Sequence, residues 1–142
     1  MIRGSCLCGG VRFELSGWLS PIWMCHCSKC RKLSGVASNA KLLAPKANLT
    51  WLAGRDLVQV YTLPTGSQTT FCRSCGAPAP QLHPSGGAYL VPVGSLDDDP
   101  GVRVESHIFV GSKAPWDEIG GSAPQFDEGF PVAEPDRGKG KQ

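Results

Sequence analysis

Cys6-Leu7-Cys8, Cys25-His26-Cys27-Ser28-Lys29-Cys30 and Cys72-Arg73-Ser74-Cys75-Gly76 together hold all seven cysteines of the chain. Clusters this tight suit metal chelation better than cross-linking. Cys6 and Cys8 would bond poorly to each other across one residue, and an odd count leaves a thiol over in any all-disulfide scheme. Seven does divide into a set of four and a set of three. Four thiolates around zinc make a closed, structural site, whereas three leave one position of the tetrahedron for water or a reactant.

Within Cys72-x-x-Cys75-Gly76 two sulfurs converge across a tight turn, and Gly76 suits the backbone that follows because glycine takes positive φ without steric cost. Cys6 and Cys8, on an extended segment, would face the same side. Neither pair fills a zinc shell alone. Spacing favours joining the first cluster to the third, a staple between the N-terminus and the middle of the chain. A structural zinc of this kind supplies on the order of 10 kcal/mol of folding free energy.

The second cluster offers three thiolates from six consecutive residues: Cys25 and Cys27 on one side of an extended segment, with Cys30 returning over a CxxC turn. An open zinc there would stabilise a bound thiolate at neutral pH or polarise a carbonyl. The alternative is a second structural site completed by a fourth protein ligand. His26 is a poor candidate between two ligands, which leaves His83 and His107. Lys29, Arg31 and Lys32 place positive charge beside this cluster, either as an ordinary solvated turn or as an attraction for an anionic substrate. Trp23, Trp51 and Trp116 are expected in core packing rather than as pocket walls.

The 142 residues predict one main domain, residues 1–119, with a Gly- and Pro-rich C-terminal extension over residues 120–142. A hydrophobic fraction of 41% with 18% charged residues fits a globular protein, and 18 Gly with 12 Pro imply many turns and short elements. The net charge of +2 is too small to point to nucleic acid as a partner. No stretch is long and apolar enough to span a membrane. Met1-Ile2-Arg3-Gly4-Ser5 lacks the apolar core of a signal peptide, so a cytoplasmic protein is the default expectation. In that reducing compartment, clustered cysteines more often hold metal or do chemistry than form disulfides.

Alternation of apolar and polar residues predicts strands over residues 11–15, 57–63 and 102–110, with β-prone runs at residues 22–24, 69–71 and 89–93. Residues 36–43 and 48–53 read as strands separated by an Ala44-Pro45 break. Pro92 suggests an edge strand or a bulge. Ser28 to Leu33 reads as one helical turn ended by Ser34-Gly35, and Asp97-Asp98-Asp99-Pro100-Gly101 as a turn. There is no long amphipathic helix, so the class is mainly β, made of short strands. Arg137 to Gln142 reads as a mobile tail.

Taken together, Gly4-Ser5-Cys6-Leu7-Cys8-Gly9-Gly10-Val11-Arg12-Phe13, Cys25-His26-Cys27-Ser28-Lys29-Cys30-Arg31-Lys32-Leu33-Ser34-Gly35 and Phe71-Cys72-Arg73-Ser74-Cys75-Gly76 resemble the glutathione-dependent formaldehyde-activating enzyme family, which also includes centromere protein V. Gly94-Ser95-Leu96-Asp97-Asp98, His107-Ile108-Phe109-Val110 and Lys113-Ala114-Pro115-Trp116 extend the resemblance to about residue 116, in family order. The resemblance implies a zinc-stapled β-tent fold of short antiparallel strands. It also implies a structural zinc on Cys6, Cys8, Cys72 and Cys75 and a second, catalytic zinc on Cys25, Cys27 and Cys30. The implied activity joins formaldehyde to the thiol of glutathione, in a family classed with carbon–sulfur lyases. The implied partners are therefore a small thiol such as glutathione and a small aldehyde. The chain departs from the family at Ala77-Pro78-Ala79-Pro80-Gln81-Leu82, where Ser or Thr and then an aromatic-containing strand are commoner. It departs again at Val36-Ala37-Ser38-Asn39, where an aromatic is common. The rival to an enzyme is a binding module that uses its zincs only to fold. The second site, with one protein ligand fewer, is expected to lose metal or oxidise more readily than the first.

Overall fold

The computed structural model describes residues 1–131; the tail expected at Arg137 to Gln142 lies outside the described residues. Ten short strands and one α-helix follow in chain order: β1 Ile2–Ser5, β2 Arg12–Leu15, β3 Ile22–Cys25, α1 Ser28–Ser34, β4 Asn39–Pro45, β5 Leu49–Ala53, β6 Val58–Thr62, β7 Gln68–Cys72, β8 Gln81–Leu82, β9 Ala88–Pro92 and β10 Val104–Ile108. They form a three-stranded sheet in the order β1-β2-β5, a five-stranded sheet in the order β10-β3-β4-β9-β8, and the β6-β7 hairpin. Every pairing is antiparallel except β10 on β3, which is parallel. The class is the mainly β one expected.

The core lies between the two larger sheets. Phe13, Leu15 and Leu49 from the smaller sheet meet Ile22, Leu42, Ala44, Tyr89 and Val91 from the larger one, all buried. Strand residues alternate between faces, so burying Leu42, Ala44 and Val91 turns Lys41, Leu43 and Leu90 to the opposite face, where each is half-buried. Register puts Trp23 opposite Lys41 and Cys25 opposite Asn39, and Lys41 opposite Pro92. Cys25, Asn39 and Lys41 therefore share that outer face.

Several elements differ from the sequence expectations. The break placed at Ala44-Pro45 falls one step later: β4 runs through Pro45, and the chain turns over Lys46–Asn48. A proline at a strand's last position loses only a bond that the strand no longer needs. Strand β9 is interior rather than at an edge, and Pro92 sits at its end, beyond the reach of the two-residue β8. The extension expected from residue 120 begins as part of the packed domain. Residues 124–128 hydrogen-bond with residues 107–110, including His107 N–H to the Pro124 carbonyl (2.8 Å) and Phe109 N–H to the Glu128 carbonyl (2.8 Å). Phe130 then packs edge-on against Trp23. Of the three tryptophans expected inside, Trp51 packs between Phe13 and Tyr89. Trp23 is half-buried, and Trp116 is 72% exposed. No described helix is long and apolar enough to cross a membrane.

Candidate metal centres

The four sulfurs of Cys6, Cys8, Cys72 and Cys75 converge, each within 4.8 Å of the others. Two loops bring them together. Cys72 ends β7, and the chain doubles back so that Gly76 N–H reaches the Cys72 carbonyl (2.7 Å) and Cys72 N–H the Ala77 carbonyl (2.8 Å). Gly76 carries the reversal at φ 77°. The first cluster does the same thing rather than staying extended. Gly9 N–H bonds to the Cys6 carbonyl (3.0 Å) and Cys6 N–H to the Val11 carbonyl (3.1 Å), with Gly9 at φ 74°. The extended geometry expected for Cys6 to Cys8 is thus replaced by a glycine-closed turn. An extended chain would have carried Cys8 past the pair at Cys72 and Cys75. Gly54 locks the junction below. Its φ is 70°, and a Cβ there would collide with the Gly10 carbonyl.

Spacing and chemistry both fit zinc. Sulfurs at 2.3 Å from a tetrahedral ion stand about 3.8 Å apart. Cys6 and Cys8 sulfurs are 3.5 Å apart and those of Cys8 and Cys72 3.9 Å. The Val11 amide also donates to the Cys6 sulfur at 3.2 Å. Burial resists ionisation of Cys6, yet the Val11 amide and the neighbouring thiols bring its pKa below the ordinary value. The amides of Ala77 and Cys8 lower Cys75 to about 6. Cys8 is pushed up to about 11: the Gly10 amide favours its thiolate, but Cys6 and the other thiols outweigh it. The set therefore ionises in part on its own, and a bound dication would remove the cost of the remaining thiolates.

Cys25, Cys27 and Cys30 form the second group, their sulfurs likewise within 4.8 Å. Cys25 ends β3. Cys27 is the extended residue before α1, where its sulfur accepts from the Cys30 N–H at 3.4 Å. Cys30 lies on the first turn of α1, which Gly35 ends at φ 69° as the Ser34-Gly35 signal predicts. Contact with Cys30 lowers Cys25 to about 6 against the opposing effect of burial, helped by Cys27 and by the positive charge of Lys41. The same contact, with burial, drives Cys30 far above the usual thiol range. One thiolate is cheap here and the third is expensive, a cost that a cation would relieve. Cys25 is buried, while Cys27 and Cys30 are partly open.

Among the described residues no fourth Cys, His, Asp or Glu joins this group. The two histidines left as candidates are engaged elsewhere. His83 Nδ1 pairs with the Ser85 hydroxyl at 2.9 Å. His107 Nδ1 meets His26 Nε2 at 3.0 Å, in a buried pair that the spacing did not reveal. Burial and the His107 neighbour lower the His26 pKa, against Asp117, whose carboxylate is 3.8 Å from His26 Nδ1. The His26 N–H also donates to the Ile108 carbonyl at 3.0 Å. His26 therefore anchors the Cys25-to-Cys27 loop to β10 instead of joining its ligands. Trp116, Lys29 and Arg31 add no ligand atom; Arg31 ties α1 to the Ser112 carbonyl at 3.3 Å.

The family model described as "Glutathione-dependent formaldehyde-activating enzyme" matches residues 1–112, a span that contains both cysteine groups. A Halomonas elongata protein named "Putative glutathione-dependent formaldehyde-activating enzyme" is 30% identical over 129 residues, covering 84% of this chain and 81% of its own length. A Rhodobacter sphaeroides protein of known crystal structure superposes with a TM-score of 0.55 at 27% identity, over 72% of this chain and 98% of that one. With both thiol groups inside a match of this extent, the chain belongs to the glutathione-dependent formaldehyde-activating enzyme family.

Proposed function

We propose that this protein is a two-zinc enzyme of the carbon–sulfur lyase type, acting on the adduct of a small thiol and a small aldehyde, with S-hydroxymethylglutathione as the model substrate. The observation that carries this reading is the second group: three converging thiols, two of them partly open, with no fourth protein donor among the described residues. In this reading Cys6, Cys8, Cys72 and Cys75 hold a structural zinc, and Cys25, Cys27 and Cys30 hold the one at the reaction site. A zinc held there supplies positive charge that favours the thiolate of the substrate or polarises the aldehyde carbonyl.

The reaction balances without an oxidant. In the synthetic direction the substrate thiol releases its proton and the sulfur lone pair forms a bond to the aldehyde carbon. The C=O π pair moves to oxygen, and the oxygen takes up a proton. In the lyase direction the C–S bond breaks and the same proton movements reverse. The protein's share is positional. The His26–His107 pair holds the ligand loop, and α1 with β4 walls the site. Seven cysteines grouped as metal ligands rather than paired across the fold suit a reducing, cytoplasmic setting.

The test is exchange spectroscopy on the zinc-loaded protein with ¹³C-formaldehyde and glutathione. Faster exchange between free formaldehyde and the hydroxymethyl adduct than in buffer is expected. An unchanged exchange rate at full zinc loading would overturn the lyase reading and favour a module that uses its zincs only to fold.

A further inference from the structure

A cavity of about 290 Å³ opens on the outer face of the larger sheet; none of the seven cysteines lines it. Its floor is Asn39 and Lys41 of β4, Leu90 and Pro92 of β9, and Gln81 of β8, and Lys32 of α1 closes one side. The β6-β7 hairpin makes the opposite wall with Tyr61, Thr69 and Phe71. That volume is at the lower end of small-ligand sites, which run roughly from 300 to 1,000 Å³, so it suits part of a small molecule rather than a peptide.

Register ties this cavity to the thiols. Asn39 lies directly across from Cys25, and Lys41 is two residues further along β4 on the same face. Such diagonal neighbours stand roughly 7–8 Å apart. The lining includes two ammonium groups, two amides and three hydroxyls but no carboxylate. Among the described residues neither Lys32 nor Lys41 has an ion-pair partner. Three cysteine thiolates with one divalent zinc form a net anionic site, and a substrate thiolate would add to it. Uncompensated cations beside such a site serve to offset charge or to hold an anion, and this cavity has room for the second.

We propose that Lys32 and Lys41 are specificity-determining residues that bind the carboxylate end of the thiol substrate in this cavity, so that the site selects anionic small thiols over neutral or amine-bearing ones. The inference rests on the reading of Cys25, Cys27 and Cys30 as the thiol-activating centre. The aldehyde, being small and uncharged, needs no part of this cavity. Lys41 lies on a strand and is half-buried, so its placement is the more rigid of the two. Lys32 is exposed on α1 and adjusts to the ligand.

Calorimetric binding to the zinc-loaded protein tests this with three probes: glutathione, its diethyl ester and cysteamine. Glutathione is expected to bind about tenfold or more tighter than the ester, and its affinity should fall as ionic strength rises. The Lys32→Gln, Lys41→Gln double variant, with unchanged zinc content, is expected to bring the glutathione-to-ester ratio close to one while leaving the ester's affinity unchanged. Lys41→Arg should retain most of the preference. Equal binding of glutathione and ester by the wild type, or an undiminished preference in the double variant, would overturn the assignment of the lysines alone. If none of the three thiols binds, the thiol-activating centre itself is overturned, and this inference with it.

Discussion

Replacing Cys72 by serine is expected to leave most of the chain unfolded at room temperature, even with zinc in excess. Cys72 is completely buried at the end of β7, and its sulfur stands 3.9 Å from that of Cys8. The four-thiol group joins the turn after β1 to the turn after β7, with only Val11 as a further fully buried side chain in its small cluster. A structural zinc contributes on the order of 10 kcal/mol, against a total stability of roughly 5–15 kcal/mol for an ordinary domain. Losing one of four ligands takes away a large share of the first figure and leaves buried Cys6, half-buried Cys75 and exposed Cys8 without a complete shell for their cation. Trp51 packs against this cluster, so its fluorescence reports the outcome directly. A red-shifted emission with no cooperative thermal transition is the expected result. A wild-type unfolding midpoint in Cys72→Ser would remove the structural role of this site.

Cys27→Ser should behave in the opposite way. Cys27 lies at the start of α1, partly open to solvent, and its sulfur accepts one weak bond from the Cys30 N–H that a serine hydroxyl can also accept. The variant is expected to fold, to bind one metal fewer per chain, and to lose activity on the thiol–aldehyde adduct. Changes to residues that merely support a metal's ligands cost about 10- to 100-fold, so removing a ligand should cost at least on the order of 100-fold in kcat/KM. Circular dichroism, metal stoichiometry and the exchange assay together separate the two effects. A variant that unfolds as Cys72→Ser does would make the second group structural as well. One that keeps full activity would move the chemistry away from it.

The contrast between these variants also marks what was legible in the sequence. The tight clusters were legible from spacing because a chelating loop such as Cys72 to Gly76 is local, whereas the glycine-closed turn at Cys6 to Cys8 was not, an extended segment being expected there. The short strands and the brief helix ended by Gly35 were legible for the same reason. What eluded the sequence is long-range. The parallel pairing of β10 with β3 places His107 beside His26 and so removes it as a ligand. The return of residues 124–128 onto β10 is another contact between distant segments, hidden in a stretch whose Gly and Pro content suggested only an extension. Lys41 shows the limit most clearly. Alternation could put it on one face of a strand, but only the β3-β4 register sets it diagonally from Cys25. Its role beside the thiols could not be read before the sheet was known.

Fold and proposed chemistry both depend on the split of seven thiols into a closed site and an open one. A crystal structure of the zinc-loaded protein, with anomalous scattering to identify the ions, tests it most directly. Two zinc ions per chain are expected. One is bound by Cys6, Cys8, Cys72 and Cys75, and the other by Cys25, Cys27, Cys30 and a donor that is not a protein side chain. A single ion per chain, or a side chain completing the second shell, would contradict it.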